Sequence, residues 1–186
     1  MTHLIVPRPI AWVLTRNENG SHNLAPFSYC NAVTSNPPIV SISIGRRDGE
    51  QKDTLRNLER ERQAVIHLPS VEELDAVNQS SKPLPPEISE VEAQGLPLVQ
   101  DDNPLPRLAS SKAVLYASLY AVHEIGEGQQ ALVLCQVDRV FLSDELGVTE
   151  WDEKTDLPVE KLNPLARLGG THFARLGETL SRPRPE

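Results

Sequence analysis

Residues 7–33, PRPIAWVLTRNENGSHNLAPFSYCNAV, decide how this chain is read. Residues 10–15 (IAWVLT) are an apolar run of strand formers, and the Asn19-Gly20 pair behind them is a strong hairpin signal. Residues 21–33 give a second extended stretch. Prolines and small polar residues sit here where a core would want bulk. Arg8 between two prolines, and the corner Asn23-Leu24-Ala25-Pro26-Phe27-Ser28, therefore ask for a reason other than packing.

The same alternation of strands and turns continues outward. After Pro37-Pro38, residues 39–44 (IVSISI) form a strand with Val40, Ile42 and Ile44 on one face and Ser41 and Ser43 on the other. Residues 63–68 make a further short strand. Residues 113–122 and 131–142 make two longer ones, joined by a turn at Gly126-Glu127-Gly128. Helices are few and short. Residues 53–61 are one, with Asp53 or Thr54 placed to cap it, and residues 70–79 start on a Ser70…Glu73 capping box. Residues 82–107 carry six prolines and read as an extended loop or arm. Strands at short spacing with turn connections imply an antiparallel barrel or sandwich carrying a couple of helices.

Composition sets bounds. A chain of 186 residues, 39% hydrophobic and 24% charged, fits one domain with a sizeable core, and no linker divides it. A net charge of −8 argues against nucleic acid. No run approaches a membrane span, and MTHLIVPRPI has the makings of no signal peptide, so the expected location is cytoplasmic. Cys30 and Cys135 stand apart from any metal-ligand spacing and read as free thiols; the five histidines show no HxxH or HExxH pattern. GxGxxG is absent. Gly45-Arg46-Arg47-Asp48-Gly49 fails as a P-loop, having three residues between its glycines where four are needed and its Lys too late.

Three features converge on one chemistry. Ser41 and Ser43 make a strand face of small hydroxyls. Arg46-Arg47 leads to Lys52-Asp53-Thr54 at a helix start, where free N–H groups, a hydroxyl and nearby cations suit a phosphate. The Asn23–Ser28 corner with Asn31 offers polar groups able to read a heterocycle's edge. A planar, phosphorylated cofactor answers all three. Each has a plainer reading: a surface Arg8, an ordinary capped helix start, a solvent-facing strand.

The segments PRPIAWV, NLAPFSYCNAV, NPPIVSISIG and KDTLRN, with EVEAQGL, LVLCQV and PLARLGGTHFARLGE later, resemble the flavin reductase-like family over nearly the whole chain. The resemblance implies a mainly β, antiparallel split barrel of the FMN-binding type, as a single domain over 1–186 with a proline-rich arm (82–107) and a C-terminal extension (151–186). It implies FMN as cofactor, NAD(P)H as co-substrate and a homodimer, with a small-molecule or protein electron acceptor. By position, the flavin ring falls to Ala25, Pro26, Ser28, Asn31, Ala32, Val33 and Thr34, with Arg8 and Pro9 beside it. The phosphate falls to Ser41, Ser43, Lys52 and Thr54, while His172, Phe173 and Arg175 close over the flavin or reach its phosphate. Hydride transfer to a flavin needs no protein acid or base, which accounts for the missing triad or carboxylate pair. The rival expectation is an FMN-binding electron carrier without nicotinamide activity. Trp12, Tyr116, Tyr120 and Phe141 are assigned to packing, Trp151 to a dimer contact or surface loop, and Glu72-Glu73 to a helix cap.

Overall fold

The structure, a computed structural model, describes residues 1–149, 155–183 and 185; Trp151 lies outside them. In chain order the first elements are β1 (Arg8–Pro9), β2 (Ala11–Arg16), β3 (His22–Phe27), β4 (Cys30–Ser35), β5 (Pro38–Gly45), α1 (Asp53–Glu61) and β6 (Gln63–His67). There follow α2 (Leu74–Gln79), α3 (Glu90–Ala93), β7 (Leu98–Val99), β8 (Arg107–Leu108), β9 (Ala113–Ile125) and β10 (Gln130–Leu142). The chain finishes with α4 (Val159–Leu162), β11 (Ala166–Arg167) and β12 (Phe173–Ala174). The protein is mainly β with few helices.

Seven strands pair in the order β3-β2-β6-β9-β10-β5-β4, antiparallel throughout. Strand β2 explains why both faces of this sheet are covered. Ala11 and Val13 join Ile42, Ile44 and Val133 in one core, while Trp12 and Leu14 join Leu24, Val65, Leu105 and Leu108 in another. Strands β2 and β5 are separated by three others in the sheet, yet both feed the first core. The sheet therefore curls around Leu55 and Leu58 of α1, which complete that core. The pairing runs from β3 at one end to β4 at the other; the Ser43 N–H donates to the Tyr29 carbonyl at 2.8 Å and ties β5 to the link between them. Small sheets β1-β11-β12 and β7-β8 lie outside it.

The Asn19-Gly20 turn forms, with Gly20 at φ 86°, a left-handed conformation that glycine takes without steric cost. The expected single stretch 21–33 is instead two strands at opposite ends of the sheet. Its break follows Pro26, on the free edge of β3. The outward groups of that edge are taken in turn: Ser89 Oγ donates to the His22 carbonyl at 2.6 Å, and the Leu24 N–H donates to Glu90 at 2.9 Å. Pro26, next in the same phase, has no N–H to give, so the edge ends there.

Three further differences from the sequence reading have local causes. Lys52, not Asp53 or Thr54, is the N-cap of α1, and no side chain caps that helix. The capping box at Ser70 is present, but it opens a 3₁₀ turn before α2, and Glu73 turns inward to accept from Ser110 and Ser111 as well. The proline-rich 82–107 is no free arm. Prolines rule out long helix, but Val91 and Leu105 are 3% exposed and pack under Trp12, so the segment folds back on the sheet. Trp12 itself is fully buried and its indole N–H donates to Ser80 Oγ at 2.8 Å. Tyr116 is buried, its hydroxyl 2.6 Å from Asp101, whereas Tyr120 is exposed. Cys135 is buried and Cys30 half-buried, both free, with burial pushing the Cys30 thiol up to about 11. Among the described residues no helix is long and apolar enough to cross a membrane.

Candidate functional site

Pro26, where the edge of β3 ends, borders three adjoining cavities. The first, about 440 Å³, is the mouth of α1: Lys52, Asp53 and Thr54 face it from the helix start, Asn23 and Ala25 from β3, and Arg47 from the preceding loop. Because Lys52 caps only through its backbone, the N–H groups of Asp53 and Thr54 have no backbone partner among the described residues. Such a helix start attracts an anion. Thr54 is 1% exposed and its hydroxyl oxygen accepts from Asn23 Nδ2 at 3.0 Å, which leaves its own proton to donate. The Lys52 ammonium lies 5.6 Å over the Phe27 ring, with no carboxylate in ion-pair range among the described residues. Burial, helped by Arg47, lowers its pKa, and an anion placed beside it would oppose both effects. Glu90 also faces this cavity, and burial raises its carboxyl pKa despite the Leu24 N–H it accepts.

The second cavity, about 390 Å³, continues past Pro26 and Phe27, sharing Lys52 with the first. Ser28, Ser43 and Gln130 line it, and Arg8 and Leu168 stand over it. Arg8 is 6% exposed, with four of its five N–H donors engaged. Nε donates to Ser28 Oγ at 3.3 Å, Nη1 to the carbonyls of Thr2 (2.6 Å) and Ile5 (3.0 Å), and Nη2 to that of Leu168 (2.8 Å). Arg8 thus staples the N-terminal residues and the turn after β11 to the cleft. The third cavity, about 190 Å³, opens from Pro26 and Ser28 toward Phe173 and α2.

Of the residues singled out in the sequence, Arg8, Ala25, Pro26, Ser28, Ser43, Lys52, Thr54 and Phe173 line this connected space. The other residues that the resemblance assigned to the flavin line none of the three cavities in the single chain. Pro9 is exposed on β1, opposite Ala166. Asn31, Ala32, Val33 and Thr34 are exposed on β4, at the end of the sheet. Ser41 shares its face with Ser43, but its hydroxyl donates to the Asn31 carbonyl at 3.3 Å under that edge. His172 holds the β11–β12 turn through Gly169 (3.1 Å), and Arg175 follows β12, exposed. Asn23 and Arg47, read from the sequence as part of the polar corner and of the cations before the helix start, also line the first cavity. Glu90 and Arg167 stood inside the quoted segments EVEAQGL and PLARLGGTHFARLGE without a role of their own, and Gln130, from a remote strand, carried no local signal.

An antiparallel, mainly β fold here sets an uncapped helix start at the mouth of a polar cleft, an arrangement that can accept an anion. Residues 1–155 match the flavin reductase-like domain, and the chain belongs to that family. Among solved structures it is similar to nitrilotriacetate monooxygenase component B from Bacillus cereus, at 32% identity and TM-score 0.89, over 97% of this chain and 90% of that one. It is also similar to the 2-nitrobenzoate 2-nitroreductase of Pseudomonas fluorescens, at 26% identity and TM-score 0.86, covering 99% and 88% of the two chains. A putative flavin reductase with a split barrel domain from Shewanella frigidimarina, at 17% identity, matches in fold with TM-score 0.84 over 100% and 89%.

Proposed function

We propose that this chain is an oxidoreductase that binds FMN and takes hydride from NAD(P)H, working as a homodimer. The observation that carries it is the start of α1: an uncapped helix, an unpaired half-buried Lys52 and a buried Thr54, facing a cavity that runs on into the cleft along Pro26. Those groups fit a phosphate, and the connected volume is in the range of cofactor sites. When bound, the flavin supplies the hydride-accepting ring. The protein's part is to hold it. Lys52, Thr54 and the first N–H groups of α1 would anchor the phosphate, while Ala25, Pro26, Ser28 and Ser43 would border the ring. Arg8 acts by fixing the segments that keep water from the cleft. No second dinucleotide motif is present, so NAD(P)H and the acceptor would use the same opening in turn. Membership of the family and the likeness to a nitroreductase and a monooxygenase component support oxidoreductase work.

FMN is expected to bind more tightly than riboflavin, and Lys52→Ala to weaken FMN by about 1.5–3 kcal/mol while leaving riboflavin nearly unchanged. Fluorescence titration of both flavins checks this; equal affinities for the wild type would remove the phosphate site. Oxidation of NADH and NADPH with FMN present tests the enzyme reading, and flavin binding without such oxidation would leave an electron carrier. Asn31, Ala32, Val33 and Thr34 acquire a role only if a second copy covers β4, where Val33 (53% exposed) and the adjoining Tyr29 (43%) present apolar surface. Light scattering at micromolar concentration is expected to give a dimer. A monomer that still binds flavin would remove both the dimer and those four residues.

A further inference from the structure

The third cavity differs in chemistry from the first. Its apolar walls are Ile10, Pro26, Val77 and Phe173, with Ser28 and Ser81 between them, and its charged group is Arg167, which also borders the second cavity; no carboxylate borders it. The first cavity, by contrast, sets Asp48, Glu50, Asp53 and Glu90 among its cations. Arg167 is held in place from one side. Nη2 donates to the Gly170 carbonyl at 2.5 Å, Nη1 to that of His172 at 3.5 Å, and the guanidinium carbon lies 4.4 Å over the Phe173 ring. It makes no ion pair, and its remaining donors have no partner among the described residues. A fixed guanidinium fork without a counter-charge matches a carboxylate. The slot of about 190 Å³ has room for one aromatic ring, since an apolar cavity of about 150 Å³ accepts benzene. Phe173 gives that ring an aromatic neighbour. Asn78, exposed on α2, stands at the rim.

We propose that this pocket binds a small aromatic carboxylate and serves as the acceptor subsite beside the flavin. The word acceptor rests on the flavin reading, because Pro26, Ser28 and Arg167 border the second cavity as well; binding of the aromatic anion does not. The test is calorimetric titration of the full chain with benzoate, with benzyl alcohol (the ring without the charge) and with acetate (the charge without the ring), each with and without saturating FMN. Benzoate is expected to bind at least about tenfold more tightly than either control, and to bind with FMN present. Arg167→Gln is expected to lower benzoate affinity by about tenfold or more. Asn78→Trp, at an exposed helix position, is expected to fill the rim and abolish benzoate binding without changing the thermal melt. Benzoate no better than benzyl alcohol, or unaffected by Asn78→Trp, would overturn the pocket assignment. Benzoate displaced by FMN would overturn it too, by placing the anion in the flavin cleft. Benzoate binding without FMN binding would remove the flavin reading and keep the anion site; FMN binding without benzoate binding would remove only the anion site.

Discussion

Ser43→Leu is expected to weaken FMN binding by about a hundredfold while the melt of the flavin-free protein stays where it was. The two effects separate because of the pleat of β5. Ile42 and Ile44 are 2% and 1% exposed in the first core, and their positions are unchanged by a substitution between them. Ser43 lies on the other face, opposite Leu132 in the ladder, and its side chain borders the 390 Å³ cavity together with Lys52 and Gln130. Its backbone N–H bond to Tyr29 survives the change. There is little slack beside it, since a Cβ on Gly45 would come within 2.6 Å of Gln130 Oε1. Leucine would therefore take space from the ligand rather than from the core. Ser41→Leu is the control. Its hydroxyl sits under the β4 edge and borders none of the three cavities, so flavin binding by the single chain should hardly notice it. Titration of both variants with FMN, beside their melts, decides the matter; unchanged FMN affinity in Ser43→Leu would remove it from the site.

This contrast between two serines shows what the sequence made legible and what it did not. Alternation over 39–44 places Ser41 and Ser43 on one face, and that is correct. Which of them reaches the cleft depends on where β4 ends its cover, a fact of tertiary pairing. The bounds of α1 and, within a residue, of β6 and β10 followed from local pattern, whereas β9 runs three residues past its expected end, to Ile125 at the turn. The division of 21–33 between two ends of the sheet did not, since Pro26 acts through an edge supplied by Ser89 and Glu90, some 65 residues away. The proline-rich stretch misled for a similar reason. Proline forbids helix but says nothing about whether Val91 and Leu105 find a core to enter. In the candidate site, the start of α1 was legible as a cluster of adjacent residues. Arg167 and Gln130 were not, because strand order alone brings them to the cleft.

Acidification from pH 7 to pH 4 is expected to remove on the order of 3 kcal/mol of stability through His67 alone. The imidazole is fully buried. Its Nδ1 lies 3.0 Å from the Trp12 carbonyl and must donate to it, while Nε2 accepts the Leu108 N–H at 3.0 Å. Both ring positions are thus committed to the neutral form, and a proton on Nε2 would face an N–H donor. Burial drives the pKa down to about 4 from an ordinary 6.5; the bond to Trp12 opposes this and the nearby Arg107 adds to it. With the folded value depressed, the unfolded chain binds the extra proton first. Stability is then full above about pH 6.5 and is lost as pH falls toward 4. His22, also shifted down by burial, adds to the same slope, so the measurement must isolate His67. His67→Gln does so, because glutamine offers an amide for the same partners and does not titrate. The variant should be less stable at pH 7 from altered packing beneath Trp12, yet lose less between pH 6.5 and 5 than the wild type. Chemical denaturation across that window reads the difference, and parallel slopes for the two proteins would show that His67 carries no acid sensitivity.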